Sequence, residues 1–306
     1  MNAAMLLRPR VNRLFRQMDS LAKSSDYDIS DLDKIRGSSA LCGCKETVYY
    51  LASLYLTLGE SSIANDLLST YDSASSVMKK YFHVLSHSKI QKLPTPRLTK
   101  DESSCLEFLQ TAVNSSNNTF ESAVLGRGKF SLVGNAPGSV FQQSHEGVRI
   151  YFNNYISNNR ITEEAELHVV TPSWDTDLTK AADVICITGC NIFYRRSRVW
   201  QKFINNRNQT TIYTVPAHIW SSLYKELAAS PSAGLLVLSW IENISSRNPH
   251  VLTGHVAGFS ESNLSINHDY DAEPASNRHN WQMERVIRER IVESLSRSCR
   301  RLTIEI

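Results

Sequence analysis

Five short stretches combine residue types that could do chemistry. In Lys129–Gly138 an apolar segment, Phe130–Val133, runs into Gly134-Asn135-Ala136-Pro137-Gly138. Glycines let a ligand approach backbone N–H groups closely, and Asn135 can donate and accept hydrogen bonds. The same residues also read as a plain tight turn. A second apolar segment, Val148–Phe152, ends in Asn153-Asn154, either ligand-holding amides or an Asn-rich turn. Third, Ser230-Pro231-Ser232-Ala233-Gly234 opens the apolar run Leu235–Ile241. Small residues at a helix start offer unbonded N–H groups and a positive dipole end, suited to phosphate. An ordinary capped core helix is the other reading. The last two are His268-Asp269-Tyr270-Asp271 and His279–Glu284, two histidines eleven residues apart, each near a carboxylate. Histidine titrates nearest neutral pH and serves as acid, base or phosphate ligand. Each also reads as an ordinary surface or core histidine.

These residues need a scaffold. With 306 residues, 42% hydrophobic and 21% charged, the chain has a globular composition able to bury a real core. A net charge of +3 is too weak to argue for nucleic acid unless it is clustered. From residue 121 on, apolar strands alternate with helical patterns, at Phe130–Val133, Val148–Phe152, Leu167–Val170, Val184–Thr188, Thr211–Val215 and Val251–Phe259. Such alternation predicts an α/β fold. Ser230-Pro231-Ser232 predicts an N-cap with Pro in the first turn, and Trp281–Arg301 a long helix. The first 120 residues read as a helical region. Its clearest part is Lys45–Leu68, broken at Gly59 into what reads as one helical hairpin. Gln91–Ser103, with Pro94 and Pro96, reads as a linker, and Asn114–Thr119 as a polar loop.

No run of ~18–20 apolar residues is present, and Met1–Arg16 is interrupted by arginines where a signal peptide would be apolar. A cytoplasmic location is expected. The six cysteines, with no CxxC among them, are expected to be free thiols. Arginines near both ends suit peripheral contact with an anionic inner membrane; Glu284, Glu289 and Glu293 balance them in part, and a solvated helix face is the preferred reading. His255 reads as a core or strand residue.

Taken in order, the five stretches resemble the sialyltransferase family of the animal type over roughly residues 124–290. Val133-Gly134-Asn135 resembles the core of that family's large motif, and Asn153 falls where the motif carries a second nucleotide-binding Asn. Ser232-Ala233-Gly234 resembles the small motif, with Gly258-Phe259 as its trailing pair. His268–Asp271 is similar to the third motif, with Asp269 in place of its first Tyr. His279 and Glu284 match the very small motif. The family's disulfide is not reproduced, since Phe130 and Ile241–Asn243 stand where its cysteines would be.

The resemblance implies a Rossmann-like nucleotide-binding sheet flanked by helices, of the variant GT-A type, in residues 121–306, behind a helical region in residues 1–120. It implies an inverting transfer of sialic acid or a related ulosonic acid such as Kdo from its CMP donor to a glycan hydroxyl. His279 would be the base and His268 would meet the leaving phosphate. Gly134, Asn135, Asn153, Ser232, Ala233 and Gly234 would hold the nucleotide, with Glu284 and Asp271 in support. No metal or other cofactor is expected. Asp175-Thr176-Asp177 and Asp269-Tyr270-Asp271 are the strings that could hold one. The expected partners are the CMP-sugar and a glycan or lipid-linked acceptor, and not nucleic acid. The other class is a non-catalytic protein, binding a glycan or nucleotide or acting as a helical-repeat scaffold.

Overall fold

The computed structural model describes residues 3–24, 27–38, 45–69, 100–134, 147–152, 167–170, 183–186, 211–259 and 279–305. Seven strands form one sheet: β1 Lys129–Val133, β2 Val148–Phe152, β3 Leu167–Val170, β4 Asp183–Cys186, β5 Thr211–Thr214, β6 Thr253–Ala257 and β7 Arg301–Glu305. All neighbours are parallel, in the order β5-β4-β3-β2-β1-β6-β7. This is a doubly wound, Rossmann-like α/β sheet. Its inner strands are mostly apolar because helices cover both faces of a parallel sheet. Leu132 and Val133 of β1 and Val169 and Val170 of β3 are fully buried. His255 is buried in β6, its Nδ1 2.9 Å from Ser131 Oγ on β1, the residue paired with it in register.

Strand order reverses between β1 and β6. The chain leaves β1 toward β2 on one side, and β6 and β7 lie on the other. In open α/β sheets the crevice at such a reversal, beyond the carboxyl ends of the strands, is where ligands bind.

The helices are α1 Ala3–Ser24, α2 Ile29–Arg36, α3 Lys45–Thr57, α4 Ser61–Ser69, α5 Lys100–Arg127, α6 Ala217–Leu227, α7 Ala233–Arg247 and α8 Trp281–Ser298. The hairpin is α3 and α4, with Gly59 in the left-handed region (φ 82°) at the turn. Residues 47–56 of α3 are all buried, because α1, α2, α4 and α6 surround it. Two buried tyrosines bind carboxylates there: Tyr50 donates to Asp19 at 2.5 Å and Tyr55 to Asp33 at 2.6 Å. Burial and Asp33 together push the Tyr55 phenol well above its ordinary range. Cys299, at the end of α8, is a buried free thiol; the other cysteines' side chains lie outside the described ones.

Four sequence expectations need correction. Asn114–Thr119 is helix rather than loop, and the linker expected at Gln91–Ser103 gives way to helix at Lys100, since α5 runs unbroken to Arg127. The hydroxyls of Ser115 and Thr119 bond back to the carbonyls of Thr111 (2.8 Å) and Ser115 (3.0 Å), which satisfies polar side chains within a helix. Ser116 bonds likewise to Ala112 and also receives the backbone N–H of Thr214 on β5 at 2.9 Å. Further along the same helix Phe120 packs on Trp240 of α7 with ring centroids 4.1 Å apart. Trp281–Arg301 is not one helix: α8 stops at Ser298, Cys299 turns extended (ψ 150°), and Arg301–Glu305 adds the strand β7. The N-cap of α7 is Ser232, so Pro231 lies just before the helix and not in its first turn.

Candidate active site

The crevice is built where backbone meets backbone. Past β1, the Gly134 N–H donates to Ala257 O at 2.8 Å. A Cβ on Gly134 would lie 2.2 Å from the carbonyl oxygen of Gly258, so any larger residue would force β1 and β6 apart at this point. Gly258 itself takes the left-handed conformation (φ 70°), which turns the chain out of β6 into the crevice.

The next residue, Phe259, forms one wall. Its ring meets Phe152, at the end of β2, edge-on with centroids 6.3 Å apart. Its Cε1 would stand 2.5 Å from a Cβ on Gly234. Gly234 thus lets the first turn of α7 slide under the Phe259 ring. That turn is capped from within: the Ser232 side chain accepts from Leu235 N at 3.3 Å, and its carbonyl accepts from Leu236 N at 3.0 Å. The N–H groups of Ala233 and Gly234 have no intrahelical acceptor, as in any first turn. They carry the positive end of a 15-residue helix.

The start of α8 closes the other side. Asn280 caps that helix by accepting from Met283 N at 3.2 Å, and its Nδ2 donates to Leu227 O at 3.1 Å, the last residue of α6. The preceding residue, His279, is thereby held against the start of α7. Its Nδ1 lies 2.7 Å from Ser230 O. A carbonyl only accepts, so Nδ1 carries the proton, and in the neutral ring Nε2 holds the lone pair. The ring stands edge-on to Trp281 at 4.9 Å, and 15% of the side chain is exposed.

Glu284, one turn into α8, points inward. Its Oε1 accepts from Ser232 N at 2.7 Å and lies 3.6 Å from His279 Nδ1. Burial pushes its carboxyl up to about 7, against the lowering effect of the Ser232 hydrogen bonds and the Arg288 charge. One carboxyl therefore joins the cap of α7 to the histidine. The inward stripe Glu284, Ile287, Ile291, Leu295 follows from helical spacing, and it aims this carboxyl at α7.

The sequence-derived residues divide accordingly. Ser232, Ala233, Gly234, His279 and Glu284 come together, with Gly134 across the Gly258-Phe259 turn. Asn135, Asn153, His268 and Asp271 lie outside the described residues, as do Asp175, Asp177 and Asp269. Among the described residues no three His, Cys, Asp or Glu side chains cluster as a metal would require. Sequence reasoning missed Asn280 and Trp281, which seat the histidine. The signal available was an Asn directly before a helical pattern.

No family model and no curated protein sequence matches the chain. A crystal structure of a mammalian sialyltransferase superposes with a TM-score of 0.43 at 12% identity, over 73% of this chain and 84% of that one.

Proposed function

We propose that the chain is an inverting glycosyltransferase that moves sialic acid or a related ulosonic acid such as Kdo from its CMP donor to a glycan hydroxyl. The observation that carries this reading is the seat of His279: Nδ1 is tied to Ser230 O, so Nε2 is the basic nitrogen, beside the first turn of α7. The five sequence stretches supply the rest of the reading, including the variant GT-A class.

In this scheme Nε2 of His279 takes the proton of the acceptor hydroxyl as its oxygen attacks the anomeric carbon. The carbon–oxygen bond to phosphate breaks on the opposite face, and CMP leaves with the electron pair. The configuration inverts. Negative charge growing on the phosphate meets the N–H groups of Ala233 and Gly234, with the Ser232 hydroxyl able to donate as well. His268 is assigned to the same phosphate, Asn135 and Asn153 to the nucleotide, and Asp271 to support. Glu284 holds Ser232 and His279 in one arrangement. No step calls for a metal.

The test is donor consumption in EDTA, with CMP-sialic acid, CMP-Kdo, UDP-glucose and GDP-mannose offered alongside a mixture of bacterial and animal glycans. Transfer from a CMP-sugar alone supports the reading. Transfer from a nucleoside diphosphate sugar, or from none of the four, contradicts it.

A further inference from the structure

We propose that β7, the outer strand of the sheet, pairs antiparallel with β7 of a second copy of this chain, so that two seven-stranded sheets join into one. The two edges of the sheet differ. At the β5 edge the backbone is answered from α5, where Thr214 N donates to Ser116 Oγ at 2.9 Å. At the other edge, among the described residues, Arg301–Ile304 make no hydrogen bond and no ion pair beyond their ladder with β6. Arg301 is exposed, and Ile304 is 39% exposed. An open edge is a template for another strand, and edges that stay single are often blunted by Lys or Pro. β7 contains neither.

The direction of its backbone groups follows from β6. Thr253 N donates to Gly128 O at 2.9 Å, and Ala257 O accepts from Gly134 N at 2.8 Å. Thr253 and Ala257, with His255 between them, therefore turn their backbone groups toward β1. Gly254 and Val256 alternate with these and turn theirs toward β7. Leu252 O belongs to the same set and accepts from Arg300 N at 2.7 Å, just before β7. Gly254 pairs in register with Leu302, and Val256 with Ile304. In a parallel ladder such residues bond to the neighbours of their register partners, here Arg301, Thr303 and Glu305. Leu302 and Ile304 are left with N–H and C=O pointing outward, at the open edge.

The sequence of this strand is complementary to itself when reversed. Arg301-Leu302-Thr303-Ile304-Glu305, turned about Thr303, sets Leu302 opposite Ile304 of the second copy. These are the residues with outward backbone groups, so each such pair exchanges both of its hydrogen bonds. Thr303 meets Thr303 on the two-fold axis, as an isologous interface requires. Arg301 stands opposite position 305 of the second copy, a glutamate. Opposite charges directly across a seam stabilise it, and like charges destabilise it. Side chains alternate between faces, so the aliphatic pairs share one face of the joined sheet and the charged pairs the other. Leu302 already packs on the core, and the second copy brings Ile304 beside it. A slip of two residues would set Arg301 opposite Thr303 and leave position 305 unmatched. The strands run in opposite directions across the seam, so the two crevices open at opposite ends of the joined sheet. A seam of five-residue strands is short, and the dimer belongs with weak associations.

The test is sedimentation velocity of the full chain from about 1 to about 300 µM, a range suited to weak association. The wild type should pass from monomer to dimer. Ile304→Pro removes an outward N–H and leaves the ladder with β6, so this variant should stay monomeric with a melting temperature within about 3 °C of wild type. The charges give a second test that leaves the backbone alone. Arg301→Glu and Glu305→Arg should each raise the dissociation constant roughly tenfold or more, since each dimer contains two such pairs. Mixed in equal amounts, these two variants should form a heterodimer of about wild-type strength, because both cross pairs are then of opposite sign again. A wild type that stays monomeric throughout the range, a dimer that Ile304→Pro leaves intact, or charge variants that do not recover on mixing would overturn the proposal.

Discussion

Replacing Glu284 by Gln tests the geometry of the crevice through stability rather than activity. Among the described residues Glu284 is the one buried carboxylate. Its carboxyl ionises near 4.5 in an unfolded chain and near 7 when folded. Between those values the unfolded chain has lost a proton that the folded protein keeps, so stability falls as pH rises. The gap corresponds to roughly 3 kcal/mol in the limit of high pH. Less than about 1 kcal/mol of this is already lost at pH 5 and nearly all of it at pH 8, so the change across that interval is roughly 2–3 kcal/mol. Gln keeps a carbonyl for Ser232 N but does not titrate. Urea unfolding of both proteins from about pH 5 to pH 8 should show the variant gaining roughly 2–3 kcal/mol on the wild type. A difference constant within about 0.5 kcal/mol would mean that Glu284 is not buried against α7 and that the seat of His279 is misdrawn.

His279→Ala should lower turnover ~10²–10⁴-fold, the range for loss of a general base, with CMP affinity nearly intact by calorimetry. Gly234→Ala drives a Cβ to 2.5 Å from the Phe259 ring; about 1–3 kcal/mol of overpacking should appear in urea unfolding, together with weaker CMP binding. Asn280→Ala removes the cap of α8 and its tie to Leu227. It should cost about 1–2 kcal/mol in urea unfolding and lower kcat more than it raises KM, because it unseats the base. Arg290→Ala breaks a bidentate pair with Glu226 whose partners are 60% and 36% exposed; urea unfolding should change by less than about 1 kcal/mol, since solvent screens such pairs.

How much was legible in the sequence follows from which interactions are local. The strands at Phe130–Val133, Val148–Phe152 and Leu167–Val170 declared themselves because strands buried on both faces are mostly apolar, with single polar residues such as Ser131, Arg149 and His168 between. The run Leu235–Ile241 likewise marked α7. β7 was hidden because Arg301-Leu302-Thr303-Ile304-Glu305 follows a helix with no Gly or Pro between them. The middle of α5 looked like a loop because serines and threonines satisfied inside a helix have the same composition as exposed ones. The bond from Ser232 N to Glu284 joins residues 52 apart and leaves no trace in spacing. The sequence stretches nominated both groups as site residues, but only packing of α7 against α8 brings them together. The turn at Gly134 and Gly258 was nominated for its glycines; what it lacked was the second strand against which they press.

The measurement that bears most directly on the central claim is calorimetric titration of the full chain with CMP, UMP, GMP and ADP, each with and without EDTA. The account predicts selective binding of CMP that survives EDTA and weakens in Gly234→Ala. Equal binding of all four, binding abolished by EDTA, or no binding of CMP would contradict it.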